Sequence, residues 1–227
     1  MKEILKYSCL IFLYALSHSY LATCFAIDLK IKGYEERYIG LSLSLWGVGV
    51  ILGALFHNLI RKKLNLISTI LYGSLIQFTF SLIFLFDQNT FLVALMQFVM
   101  GITSAINSLT LESHISSKFK KSSGFYISLF WSSAGLGAIT GSLFIAINGI
   151  NNLTYYLAIL FFLMHFIPIY LFRSSISKIA IENLSLRLSK NVISKIKYLL
   201  FCVILFGACD AGFSSLFPSY LLEESYS

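Results

Sequence analysis

The sequence predicts an all-α membrane protein, a bundle of about seven transmembrane helices whose first six form two inverted triplets. Three observations carry this. The 227 residues are 57% hydrophobic and only 12% charged, with a mean hydropathy of +0.81, which is about half the charged fraction of a soluble domain. The apolar residues fall in runs of about 20, each long enough to cross a bilayer. A shift of 88 residues lays Lys30–Phe56 on Lys118–Phe144 without a gap, with 12 identities in 27 positions, where this composition should give roughly three by chance.

In chain order, Met1 to Lys6 is a short basic start. Span 1 covers about Tyr7–Ile27, span 2 Tyr38–Ile60, span 3 Leu66–Phe86 and span 4 Phe91–Ser116. Span 5 follows at Phe125–Ile147, span 6 at Leu153–Phe172 and span 7 at Tyr198–Leu222. The first run is of full span length and lacks a small-residue cleavage site, so it reads as a span and not as a cleavable leader. Residues 173–197 form the longest loop. Its Ile176, Ile179, Leu184, Leu188, Val192 and Ile196 recur among Ser, Lys and Arg, the pattern of an interfacial helix on the inner leaflet. The predicted organisation is a six-helix unit (1–172), a linker (173–197) and one further span (198–227).

Orientation follows from the cations. With the N-terminus inside, the inner segments hold 14 of the 17 Lys and Arg residues and the outer ones only Lys30, Lys32 and Arg37. This positive-inside bias places the N-terminus in the cytoplasm of a bacterial-type inner or plasma membrane. The net charge of +7 sits in short clusters between apolar runs, which orients spans and excludes a nucleic-acid partner. Cys9, Cys24, Cys202 and Cys209 fall in apolar segments without ligand spacing and read as packing residues.

Under the 88-residue shift Tyr38, Ile39, Leu41, Ser44, Gly47, Gly49, Ile51, Gly53, Leu55 and Phe56 recur, with Lys30 and Lys32 before them. Span 2 runs inward and span 5 outward, so the repeat is inverted in the membrane. Inverted three-plus-three repeats are a signature of secondary transporters. Gly47, Gly49 and Gly53, with Gly135, Gly137 and Gly141, are expected to form a stripe where backbones approach. Ordinary packing accounts for such a stripe, and a sliding surface for rocking is the functional alternative.

The stretch Gly53-Ala54-Leu55-Phe56-His57-Asn58-Leu59-Ile60-Arg61-Lys62-Lys63 resembles the loop between helices 2 and 3 of the major facilitator superfamily, G-x-L-x-D-R-x-G-R-[KR]. Gly53, Leu55, Arg61 and Lys62 fill their places, while His57, Asn58 and Ile60 stand for the family's Asp, Arg and second Gly. The resemblance implies a twelve-span fold of two six-helix halves and covers nearly the whole chain. A weaker shift of 193 lays span 1 on span 7, with Cys9 on Cys202, Ile11 on Ile204, Ala15 on Ala208 and Ser17 on Asp210. That looks like the first helix of a second half, and the chain reads as the front portion of a transporter, truncated or split.

Glu112 ends a polar stretch near the inner end of span 4, where an unpaired carboxylate would cost about 2–3 kcal/mol. In the superfamily an acidic residue there closes a charge network with the helix 2–3 loop, which implies a Glu112–Arg61 pair locking one conformation, with Lys62 and His57 beside it. Glu112-Ser113-His114-Ile115 also resembles the Glu-Ser-Trp-Leu of one bacterial transporter branch. An interfacial Glu reaching water is the plain alternative. Asp210, mid-span 7, is the candidate proton-handling residue, since charge at the bilayer centre marks a pathway. His18, beside Ser17 in span 1, is its counterpart. Asn107, Gln97, Tyr14, Trp46 and Trp131 could line a cavity, although aromatic residues in spans more often pack. His165 is expected to be peripheral, because the third helix of each triplet packs outside.

No His-Glu-x-x-His, Gly-x-Gly-Asp or Gly-x-x-x-x-Gly-Lys motif occurs, so the sequence reads as no enzyme, with no cofactor and no metal. Two function classes remain. One is a secondary transporter of a small solute by alternating access, driven by a solute or proton gradient. The other is a non-transporting bundle, a remnant or an assembly partner. The bilayer is the obligatory partner, and a separate C-terminal half or a homodimer would supply the second wall.

Overall fold

Short turns join long helices throughout the computed structural model, which describes residues 2–85 and 89–176. These are α1 (Lys2–Ile31), α2 (Glu36–Lys63), α3 (Leu66–Ser81, continued by a 3₁₀ turn Leu82–Leu85), α4 (Thr90–Lys118), α5 (Ser123–Asn148), α6 (Asn152–Met164) and α7 (Phe166–Ile176). A second 3₁₀ turn, Lys120–Ser122, precedes α5. No strand occurs among the described residues. The first six predicted spans are helical over their described residues. The linker beyond Ile176, span 7 and Asp210 lie outside the described residues.

Local chemistry sets the boundaries. Asn65 and Asn89 cap α3 and α4, accepting from the amides of Ser68 and Leu92 at 2.8 and 2.9 Å. Asn151 and Thr154 form a reciprocal capping box on α6, each satisfying amides that the first helical turn leaves open. Arg61, Lys62 and Lys63 occupy the last turn of α2, where positive charge meets the carbonyl end of the helix dipole.

Span 6 is two helices, not one. The break falls at His165, three residues before Pro168, whose ring and missing N–H remove the bond to the Met164 carbonyl. Pro168→Ala should join α6 to α7. The expected sign is slower hydrogen exchange at the amides of residues 166–169, and unchanged exchange would assign the break to another cause.

The packing repeats the inversion seen in the sequence. The most extensive contacts are α2 with α4 and α1 with α5. Exchanging the first triplet with the second turns each of these pairs into the other. The pairs α3 with α4 and α1 with α6 are likewise exchanged and both are present. Close approach at the two main crossings is made by glycine. A Cβ on Gly49 would overlap the Phe98 carbonyl and one on Gly53 the Ile102 carbonyl, both on α4. Their mates Gly137 and Gly141 meet the Phe12 and Leu16 carbonyls of α1 in the same way.

Gly47 and Gly135 depart from the expected stripe, because open space lies where their side chains would be. At about 100° per residue, two positions turn a helix about 200°, so they face away from the crossing. α2 and α5 therefore each contribute a four-residue pair of glycines, and at the α2–α4 crossing Gly101 of α4 meets the Trp46 carbonyl as well.

Two apolar clusters form the core. One joins Ile4–Tyr14 of α1 to Leu66, Leu111, Phe130 and Ile169, and the other joins Tyr20–Leu29 to Ile39, Met96, Met100 and Phe162. Between them α1 contributes residues 15–19 and α4 residues 101–110. That intervening layer carries the polar side chains.

Candidate functional site

The polar layer is built on α1 and α4, the helices at the centre of the bundle. The Ser17 hydroxyl donates to the Leu13 carbonyl at 2.7 Å, one turn back. Its oxygen lies 2.8 Å from His165 Nε2, which is also 3.1 Å from the Leu13 carbonyl. With the serine proton committed to Leu13, Nε2 carries the imidazole proton and donates. Nδ1 is then a bare acceptor, and it is buried with no partner. Across the layer, Gln77 Nε2 donates to the Tyr14 hydroxyl and, at 2.9 Å, to Thr103 Oγ1. Gln77 Oε1 is buried and unpartnered. The Tyr14 ring stacks on His165, with centroids 5.4 Å apart and planes 23° from parallel.

These two braces are images of each other. His165 stands 88 positions after Gln77, the spacing that relates the repeats. Each reaches from the third helix of its triplet to the first helix of the other. Each meets there a hydroxyl (Ser17 or Thr103) that also bonds a carbonyl four residues back. His165 is thus central and fully buried, which corrects the expectation that it is peripheral. Pro168 sets it at the helix break, where its ring faces α1.

A second group faces α2. The His18 ring lies 5.0 Å from that of Trp46, and His18 Nε2 and Trp46 Nε1 are buried without partners. Gln97, 1% exposed, stands beside His18 with neither amide atom in hydrogen-bonding geometry, and neither amide atom of Asn107 has a partner. The Asn107 amide occupies the space left by Gly73 on α3 and lines a small cavity with Tyr14, Ser74, Leu10, Ile11 and Leu111. A polar atom in the bilayer interior must be satisfied by protein or by what it binds, at several kcal/mol otherwise. Eight such atoms lie on His18, Trp46, Gln77, Gln97, Asn107 and His165, most of them in this layer, with Gln97 between Met96 and Met100 at the edge of the neighbouring apolar cluster.

At the end of the bundle where α1 begins, His57 Nε2 lies 3.2 Å from Thr110 Oγ1, joining α2 to α4 beyond the glycine pair. Arg61 is one turn further, its Nη1 buried and unpartnered, while Lys62 is exposed. Among the described residues there is no ion pair between Glu112 and Arg61. The physical reason is angular: Thr110 faces α2, and Glu112 lies about 200° round α4 from it. The residue one turn past Thr110 is His114, and its Nε2 is 2.9 Å from the Tyr7 hydroxyl of α1.

Of the sequence-predicted residues, the fold brings Ser17, His18 and Asn107 into the polar layer and puts His57 and Arg61 on one face of α2. Glu112 stands apart from them, and Asp210 lies outside the described residues. Gln77, His165 and the Tyr7–His114 contact were not anticipated. The 88-residue shift that lays Gln77 on His165 was the signal for the first two.

A family model described as Major Facilitator Superfamily matches residues 7–227. No curated protein matches. Among solved structures, the chain is similar to a crystal structure of a mutant of the peptide transporter POT in complex with sulfate, with a TM-score of 0.67 and 12% identity. The match covers 90% of this chain and 45% of that one, so the chain spans less than half the length of that transporter. At this identity the likeness is one of fold.

Proposed function

We propose that this chain, which belongs to the Major Facilitator Superfamily, moves a small polar solute across the membrane by alternating access, as one half of a transporter. The observation that carries the reading is the layer of unpartnered polar atoms midway between the two apolar clusters. A bundle that only had to fold would gain by filling those positions with apolar side chains. Hydrogen-bonding atoms left without a partner inside the bundle suit a solute that sheds its water on the way through. Spans 1, 2 and 4 supply this wall with Gln77 of span 3 and His165 of span 6, and the second wall comes from a separate C-terminal half or a second copy. The cytoplasmic N-terminus and the drive by a proton or solute gradient, with Asp210 handling the proton, belong to the same proposal.

Uptake of labelled sugars, amino acids and short peptides into vesicles holding the purified chain, with and without an inward pH gradient, tests the reading. Accumulation above protein-free vesicles is expected. Failure with every class, both alone and with a co-expressed second half, would favour the non-transporting bundle.

We place the Glu112–Arg61 pair in a different arrangement of the α2 and α4 ends from the one described. Neutralising Glu112 as Glu112→Gln should then change the labelling rate of cysteines at the two mouths more than it changes solute affinity. Equal labelling in wild type and variant removes the lock.

A further inference from the structure

A cleft in the turn between α4 and α5 is lined by Ser117, Lys118, Lys120, Lys121, Ser122 and Tyr126. It lies at the end of the bundle where α1 begins. Its repeat-mate, 88 residues earlier, is the turn between α1 and α2. There the cations are met within the chain: Lys30 by Glu36 at 2.8 Å, Lys32 by Asp28 at 3.1 Å and Arg37 by Glu35 at 2.7 Å.

The shift carries Lys30 and Lys32 onto Lys118 and Lys120, but it carries Asp28, Glu35 and Glu36 onto Ser116, Ser123 and Gly124. The lysines recur and the carboxylates do not. From Ser113 to Ile181 the sequence has no acidic residue at all. One turn therefore carries carboxylates beside its cations, and its mate carries Ser116, Ser123 and Gly124 at those positions, with Lys120 and Lys121 exposed. A compact cluster of this kind at the edge of a span attracts anionic headgroups.

What lies beside the cleft decides between a lipid and a free anion. Phe119 and Tyr126 pack with ring centroids 4.3 Å apart, an aromatic pair at headgroup depth. One turn apart on α5, Phe125 and Leu129 are 70% and 40% exposed, an apolar track leading from the lysines along the span. A soluble phosphate would use the cations and leave this track idle. A phospholipid uses both.

We propose that this cleft binds the headgroup of an anionic phospholipid, with Lys120 and Lys121 on the phosphate and an acyl chain along Phe125 and Leu129. The purified full chain, titrated in detergent with phosphatidylglycerol and read by native mass spectrometry, should retain bound lipid. Lys120→Gln with Lys121→Gln should weaken retention by about tenfold or more, while Lys120→Arg with Lys121→Arg keeps it. Lys6→Gln with Lys63→Gln removes the same charge from the same end and should leave retention within about twofold. Inorganic phosphate at equal concentration should not displace the lipid. Equal loss in the two glutamine pairs, or displacement by phosphate, would overturn the proposal.

Discussion

Leucine at Gly49 or at Gly137 should cost about 3 kcal/mol or more of stability in detergent, the largest structural effect expected of any single change in this bundle. A side chain at either position would overlap a backbone carbonyl, of Phe98 or of Phe12. Backbone cannot rotate aside as a flexible side-chain tip can, so the two helices must separate. Separation would then loosen the dispersion contacts along the rest of the crossing.

Gly47 and Gly135 provide the matched control. They stand two residues away in the same helices and open space surrounds them, so leucine there should change stability by no more than about 0.5 kcal/mol. Thermal unfolding of the four variants decides it. If the leucines at Gly47 and Gly135 cost as much as those at Gly49 and Gly137, close approach to a backbone carbonyl does not govern these positions, since helix propensity alone favours leucine over glycine.

The second large effect is on function. Gln97→Met should stabilise the fold by about 1–3 kcal/mol and lower uptake by about tenfold or more. Methionine matches glutamine in length and shape, and it removes two buried polar atoms that stand beside His18 without hydrogen-bonding geometry. Stability and activity are expected to move in opposite directions, as at sites whose polar groups serve a ligand. A destabilised Gln97→Met protein would show that the amide has a partner within the fold and would withdraw it from the pathway. The Ser17→Ala change differs in kind, since the Ser17 hydroxyl is already satisfied by Leu13 and His165.

The spans were legible because about 20 apolar residues leave a chain few alternatives to crossing a membrane. The inverted symmetry was legible because an ungapped shift preserves glycines that both crossings need. What escaped was angular information. Gly47 was grouped with Gly49 and Gly53 by closeness in sequence, although it lies on the opposite face. Glu112 was matched to Arg61 by the superfamily's charge network, although in this arrangement its neighbour Thr110 is the residue turned towards α2. His165 was placed by a rule about outer helices that takes no account of a proline three residues later. Depth can be read by counting residues, but the direction of a side chain depends on where the neighbouring helix sits.

Tyr14 has a consequence of its own. Its ring touches both Gln77 and His165, two residues that are copies of one another, so it stands next to the line about which the halves interchange. The glycine contacts equate Phe12 with Phe98 and Leu16 with Ile102, which makes Met100 the image of Tyr14. The phenol therefore has no copy in the second triplet, and one half holds the aromatic hydroxyl that links the two braces.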